Sequence, residues 1–181
     1  MNKELARKDL LEIKSVFDSF GLDFFLIYGT ALGAYRDGDF LDGDYDVDLG
    51  TFDDSKFPEI KKELETRGFK IAICYDGVGK KEIPTKMILA ERSVRVDTYF
   101  FEKASDEYVA WKHPFSYHPF LSMPLEFNQT KPVSFLGTEF NILEPTDDYL
   151  TYLYGDWRDK TNKRQGKLYA EIHGIKEDKY I

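Results

Sequence analysis

The sequence is poor in cysteine, with Cys74 alone among 181 residues, so no internal disulfide can staple the fold. It also lacks any apolar run near the ~20 residues needed to cross a bilayer; stretches such as Phe24 to Tyr28 are far shorter. At most a peripheral membrane contact is expected. The chain opens with a charged segment, Asn2 to Asp9, instead of the basic-then-apolar pattern of a secretory leader. Together with the single cysteine, this leads us to expect a reducing, cytoplasmic setting. Positive charge is scarce too. Twenty-five Lys and Arg against 33 Asp and Glu leave a net charge of -8, which argues against a surface that holds long nucleic acid through its phosphates. A small ligand fits better.

What the chain has in quantity is aromatic and acidic side chains. Its 15 Phe, 12 Tyr and 2 Trp read mainly as bulky packing of core and cleft. Length fits one domain, residues 1–157, followed by a charged tail, residues 158–181, dense in Lys, Asp and Glu. No internal repeat is visible. Leu10, Ile13, Val16/Phe17 and Phe20 recur at helical spacing and predict an amphipathic helix from Asn2 to Ser19 that ends near Gly21. A buried strand is expected over Phe24 to Tyr28, stopping at Gly29. A second helix is expected over Phe57 to Arg67, with Pro58 in its first turn. Further strands are expected at Lys70 to Cys74, Lys86 to Glu91, Val94 to Phe101, Glu107 to Trp111, Val133 to Leu136 and Glu139 to Ile142. A short helix follows Pro145-Thr146, from Asp147 to Tyr154.

Two segments carry chemistry. Gly29-Thr-Ala-Leu-Gly-Ala-Tyr-Arg36 follows a predicted strand and opens a short helix, where free backbone N–H groups favour phosphate; the same pattern also suits an ordinary turn and helix cap. Downstream, Asp42, Asp44, Asp46 and Asp48 occupy alternate positions. On a strand of period two, Asp46 and Asp48 share one face, with Val47 and Leu49 on the other. Such crowding of like charge is costly unless a cation lies against it, and hard carboxylate ligands suit Mg²⁺ or Mn²⁺. Asp42 and Asp44, surrounded by Gly38, Asp39 and Gly43, read better as a solvated loop. A third acid is expected from a neighbouring strand, and Asp97 in Arg95-Val-Asp-Thr-Tyr-Phe-Phe101 offers one. Asp97 equally admits a structural reading, ion-paired with Arg95 on the same face.

The run GTALGAYRDGDFLDGDYDVDLG, Gly29 to Gly50, resembles the signature of the LicD/fukutin family of the nucleotidyltransferase superfamily. VDTYFF, where that family has its third acid, FLGTEFNILEP and YLTYLYGDW extend the resemblance over most of the chain. It implies an α+β nucleotidyltransferase fold, a mixed sheet flanked by helices, with a small C-terminal β/helical extension. It implies transfer of phosphocholine or a phosphopolyol from a CDP-linked donor to a glycan acceptor. Asp46 and Asp48 would hold Mg²⁺ or Mn²⁺, and Asp97 would bind a second metal or take the acceptor proton. Gly29, Thr30 and Arg36 would grip the donor phosphates. Two other readings stay open: nucleotidyl transfer from an NTP, and a non-catalytic nucleotide-binding module. The family's Trp and run of three acids are replaced here by Gly43, Asp44, Tyr45 and Asp46, so Tyr45 is a candidate for an aromatic donor contact. Cys74 has no partner cysteines for a structural zinc site. His113 and His118, and the basic loop of Gly77, Gly79, Lys80 and Lys81, read as packing and turn residues.

Overall fold

The computed structural model describes residues 1–75, 84–90, 94–103, 105–111 and 122–161. His113 and His118, the Gly77–Lys81 loop, the Arg92-Ser93 turn and the tail beyond 161 lie outside the described residues.

Helix α1, Lys3–Ser19, begins where the Asn2 side chain caps it by accepting the Leu5 N–H at 3.1 Å. It ends at Phe20, and Gly21 turns the chain with φ +67°. Its apolar stripe of Ala6, Leu10, Ile13 and Phe17 is fully buried. Strand β1 is only Phe25–Leu26, shorter than the expected Phe24 to Tyr28. The chain turns at Tyr28, whose φ of +49° is rare for an aromatic residue, and enters helix α2, Tyr28–Leu32. A single π-helical turn, Gly33–Asp37, continues it. Then come β2 (Asp46–Thr51), α3 (Phe57–Thr66), β3 (Lys70–Tyr75), β4 (Pro84–Ala90), β5 (Arg95–Lys103), β6 (Tyr108–Trp111), β7 (Ser122–Pro124), β8 (Gln129–Phe135), β9 (Thr138–Glu144) and α4 (Thr146–Tyr154).

The strands form one mixed sheet in the order β3-β4-β5-β2-β1-β9-β8, with β6 and β7 branching from β5. Strands β2 and β5 run parallel, as do β1 and β9, and the other pairs are antiparallel. The C-terminal β8–β9 hairpin and α4 answer the expected extension, and β9 is joined to the main sheet through β1. Pro132 is tolerated inside β8 because that strand is an edge, with a single sheet neighbour among the described residues. On β5, Val96, Thr98 and Phe100 face the α1 and α3 side, and Thr98 and Phe100 meet Phe17, Leu22, Phe57 and Ile60 there. By alternation Asp97 and Tyr99 face the other side, toward α2 and α4. One face of the sheet is therefore core against α1 and α3, and the other carries the acids, with Phe25 and Phe101 buried beside Gly50 on that same face.

Candidate active site

The β2–β5 pair sets the geometry. Its parallel register places Asp46 beside Arg95 and Asp48 beside Asp97. Side chains two residues apart on adjacent strands share a face, so all three acids point the same way. One carboxylate oxygen from each of Asp46, Asp48 and Asp97 lies within 4.8 Å of the others. Asp97 is buried, 1 % exposed, and receives a bidentate pair of hydrogen bonds from Arg95: Nε to Oδ1 at 2.9 Å and Nη2 to Oδ2 at 2.8 Å. Both sequence readings of Asp97 thus describe the same side chain, which is clustered with the other acids and paired with Arg95.

Above Asp46 and Asp48 lies an open cavity of about 590 Å³. It is lined by Tyr28, Gly29, Tyr99, Tyr154 and the Leu41–Tyr45 loop. The ring of Tyr28 meets that of Tyr99 edge-on at 5.5 Å. Burial raises the Tyr99 hydroxyl well above its ordinary pKa, and the nearby Asp48 charge raises it further. Tyr154 is raised for the same two reasons, burial first. Both stay protonated and can donate a hydrogen bond through the neutral range.

The glycine-rich stretch holds the acidic loop in place. A Cβ on Gly29 would stand 2.8 Å from Oδ2 of Asp44, and one on Gly33 would stand 2.6 Å from the backbone oxygen of Asp39. Both glycines are needed for α2 and the loop to approach so closely. Thr30 is buried, and its hydroxyl oxygen accepts the Asp48 N–H at 2.9 Å. That contact prolongs the β1–β2 ladder. The Ile27 N–H reaches the Asp48 carbonyl, after which the chain coils into α2, and a side chain takes over as acceptor.

Arg36 is committed elsewhere. Its Nε and Nη2 bind the Asp37 carboxylate at 2.9 to 3.2 Å, and its Nη1 donates to the Trp157 carbonyl at 3.0 Å. It is not among the residues that line the cavity. Asp44, which the sequence placed in a solvated loop, is instead half-buried at the rim, and burial raises its pKa. Asp42 is exposed and pairs with Lys3. Tyr99, Tyr154 and Asp44 were not singled out as site residues. The alternation that selected Asp97 also selects Tyr99, and the spacing of Gly29 and Gly33 is the signal for a loop packed upon them. Tyr45 is 73 % exposed at the cavity mouth.

A mixed sheet with an acid pair on one strand, a third acid on its parallel neighbour and a Gly-Thr turn beside them is the arrangement of a nucleotidyltransferase-fold protein. A family model of the LicD/FKTN/FKRP nucleotidyltransferase domain matches residues 21–142, and the chain belongs to that family. Comparison of the sequence with curated proteins finds no significant match. Among solved structures, the lincomycin-bound crystal structure of the lincosamide antibiotic adenylyltransferase LnuA is similar in fold. Its TM-score is 0.58 at 14% identity, over 93% of this chain and 97% of that one. The protein is a transferase of its family, and its three-acid cluster could bind a metal ion. No helix among the described residues is long and apolar enough to cross a membrane.

Proposed function

We propose that the protein transfers a phospho-alcohol group, phosphocholine or a phosphopolyol, from a CDP-linked donor to a glycan hydroxyl. The reaction would depend on Mg²⁺ or Mn²⁺. The observation that carries this reading is the convergence of Asp46, Asp48 and Asp97 beneath an open cavity flanked by Gly29. Three carboxylates on one face form an all-oxygen donor set, which suits a hard divalent ion. Asp46 and Asp48 would hold it, with Asp97 completing the acidic set. Such an ion, when bound, offsets the negative charge of a diphosphate and of its leaving group.

The rest falls to the chain's own groups. Thr30 fixes the strand at Asp48, and Gly29, which lines the cavity with the Asp44 carboxylate packed on it, would present its backbone to the donor phosphates. The phenols of Tyr99 and Tyr154 can donate to phosphate or alcohol oxygens. Arg36 ties the end of α2 to Asp37 and Trp157 and so shapes the site from behind instead of gripping a phosphate. In the transfer, the acceptor oxygen bonds to the phosphorus that bears the alcohol. The bond from that phosphorus to the bridging oxygen breaks, CMP leaves with that oxygen, and the acceptor's proton passes to water. With both oxygens held by Arg95, Asp97 serves better as fixed charge than as a base.

A second reading, nucleotidyl transfer from an NTP, is favoured by the likeness to LnuA, whose name describes an adenylyltransferase and whose length this chain nearly matches. The two differ in which phosphorus is attacked. Calorimetry with CDP-choline, other CDP-alcohols and NTPs, with and without Mg²⁺, followed by product analysis, separates them. CMP release supports the proposal, and pyrophosphate release from an NTP supports the second reading. Binding with no turnover in the presence of either metal overturns both in favour of a non-catalytic module.

A further inference from the structure

We infer that the Tyr154 hydroxyl donates a hydrogen bond to a phosphate oxygen of the nucleotide substrate, and that Tyr35 and Arg36 are positioning residues that hold Tyr154 at the cavity. The inference rests on the reading above of a diphosphate-bearing substrate. It goes beyond that reading in assigning one phosphate contact and in giving the Arg36 frame a route to the substrate.

The first observation concerns the hydroxyl itself. Tyr154 is the last residue of α4 and lines the cavity together with Gly29, Asp44 and Asp48. The other tyrosines of α4 are used inside the protein: the Tyr149 hydroxyl accepts the Tyr28 N–H at 3.3 Å, and the Tyr152 ring packs on Phe127. The Tyr154 side chain is half-buried, yet its hydroxyl has no hydrogen-bond partner among the described residues. A phenol in that position calls for a partner from the cavity. Burial first, and then the Asp48 charge, keep it protonated, so it is a hydrogen-bond donor. Phosphate oxygens are the acceptors that a cation at Asp46 and Asp48 would draw to its side.

The second observation is how α4 is held. Tyr35 and Arg36, neighbours in the π-helical turn, grip the helix at both ends. The Tyr35 hydroxyl donates to Asp147 in its first turn at 3.1 Å, and Arg36 donates to the Trp157 carbonyl, just past Tyr154, at 3.0 Å. The Tyr35 ring also packs on the Trp157 indole, with centroids 5.7 Å apart. Between these ends, Tyr149 holds the backbone of Tyr28, itself part of the cavity lining. Tyr35, Arg36, Asp147 and Trp157 stand outside that lining. The place of the Tyr154 hydroxyl is therefore set by contacts that do not touch the substrate, and a small shift of a binding group is costly.

The test uses the full chain with Mg²⁺ and, in turn, CDP-choline, CTP and ATP, which share only their phosphates and ribose, with binding followed by calorimetry. Tyr154→Phe should melt within about 2 °C of wild type, because the hydroxyl satisfies nothing in the protein. It should weaken every nucleotide that the wild type binds by about tenfold, the equivalent of one hydrogen bond to a charged group. Arg36→Ala should weaken the same nucleotides by about fivefold, but by less than about twofold when added to Tyr154→Phe, because its effect passes through the missing hydroxyl. Tyr35→Phe is milder, should follow the same pattern, and carries the test if Arg36→Ala does not fold. Unchanged affinity in Tyr154→Phe, a loss with one nucleotide and not another, or a larger drop in its melting temperature would overturn the assignment of the hydroxyl. Full additivity of Arg36→Ala or Tyr35→Phe with Tyr154→Phe would overturn the positioning role. Each of these results leaves the diphosphate reading standing, whereas a wild-type chain that binds none of the three nucleotides would overturn both.

Discussion

The Thr30 hydroxyl oxygen accepts the backbone N–H of Asp48 at 2.9 Å, so a helix residue fixes the strand that carries the proposed metal ligands. Replacing Thr30 by Val keeps the shape, removes the acceptor, and leaves a half-buried N–H without it. The expected cost is about 1–3 kcal/mol of stability, the range for an unsatisfied buried donor. Thr30→Ser should recover most of it. Chemical denaturation of the two variants checks this. In a transferase assay Thr30→Val should lower kcat more than it raises KM, because it displaces Asp48 without touching the donor. Equal stability of the Val and Ser variants would make the contact incidental.

Gly29 of α2 and Gly33 of the π-helical turn that continues it should differ in what they tolerate. At Gly29 an added methyl meets the Asp44 carboxylate at 2.8 Å, a side-chain end that can rotate away. At Gly33 it meets the Asp39 backbone oxygen at 2.6 Å and the Leu41 nitrogen at 3.1 Å, neither of which moves without shifting the loop. Gly33→Ala should therefore be the costlier, by about 1–3 kcal/mol, as for overpacking of a tight contact. Combining Gly29→Ala with Asp44→Ala should restore stability relative to Gly29→Ala alone, whereas Asp44→Ala should not rescue Gly33→Ala. Thermal melts of the five chains decide it.

Arg36 and Asp37 should show their role in the pH dependence of folding. The hydrogen bonds from Arg36, helped by Lys160, hold the Asp37 carboxyl below its ordinary pKa. A depressed acid contributes stability above its unfolded pKa and loses it as pH falls through the lower folded value. Asp37→Asn should therefore destabilise the protein near neutrality, by about 1–2 kcal/mol for a charged hydrogen bond near the surface. The gap from wild type should close as the medium is acidified below the ordinary carboxylate range. A difference that stays constant across that range would mean the Asp37 charge is irrelevant. Because Arg36 is tied to Asp37 and Trp157, Arg36→Ala and Asp37→Ala should resemble one another in stability, an effect on the frame of the site.

Local pattern was enough to read α1, α3 and the face shared by Asp46 and Asp48, because in each a period of 3.6 or 2 maps directly onto burial. It failed where long-range contacts decide. The apolar run Phe24 to Tyr28 has every property of a longer strand, yet only Phe25 and Leu26 pair before Tyr28 turns into α2. Gln129 to Pro132 carry little strand character and still pair, because β9 offers them a partner. The contact of Arg36 was not legible because its partner, the Trp157 carbonyl, is 121 residues away and a backbone atom. Asp44 resembled a solvated loop residue because nothing local says that Gly29 is the surface it packs on. Asp97 was legible for the opposite reason: its partner is two residues away, and strand period alone places both on one face.

The acids themselves should separate into two kinds. Asp46→Asn and Asp48→Asn each remove one negative charge from a crowded face, so the metal-free melting temperature should hold or rise in both while turnover is lost. Asp97→Asn should behave differently. It breaks the bidentate pair with Arg95 and places an amide where a buried carboxylate was held, costing about 1.5–3 kcal/mol in the metal-free protein. Adding Mg²⁺ or Mn²⁺ separates the two kinds again. An ion that binds only the folded chain raises the melting temperature in proportion to the logarithm of its concentration over its dissociation constant. The wild-type protein should show that rise, and Asp46→Asn and Asp48→Asn should lose it. Asp97→Asn should retain a rise, reduced by the uncompensated Arg95 charge beside Asp46. Scanning melts of the four chains over a metal series test the whole assignment. If Asp97→Asn abolished the metal-induced rise as fully as Asp46→Asn, Asp97 would be a direct ligand, and the division of labour between Asp46 and Asp48 on one side and the Arg95–Asp97 pair on the other would fall.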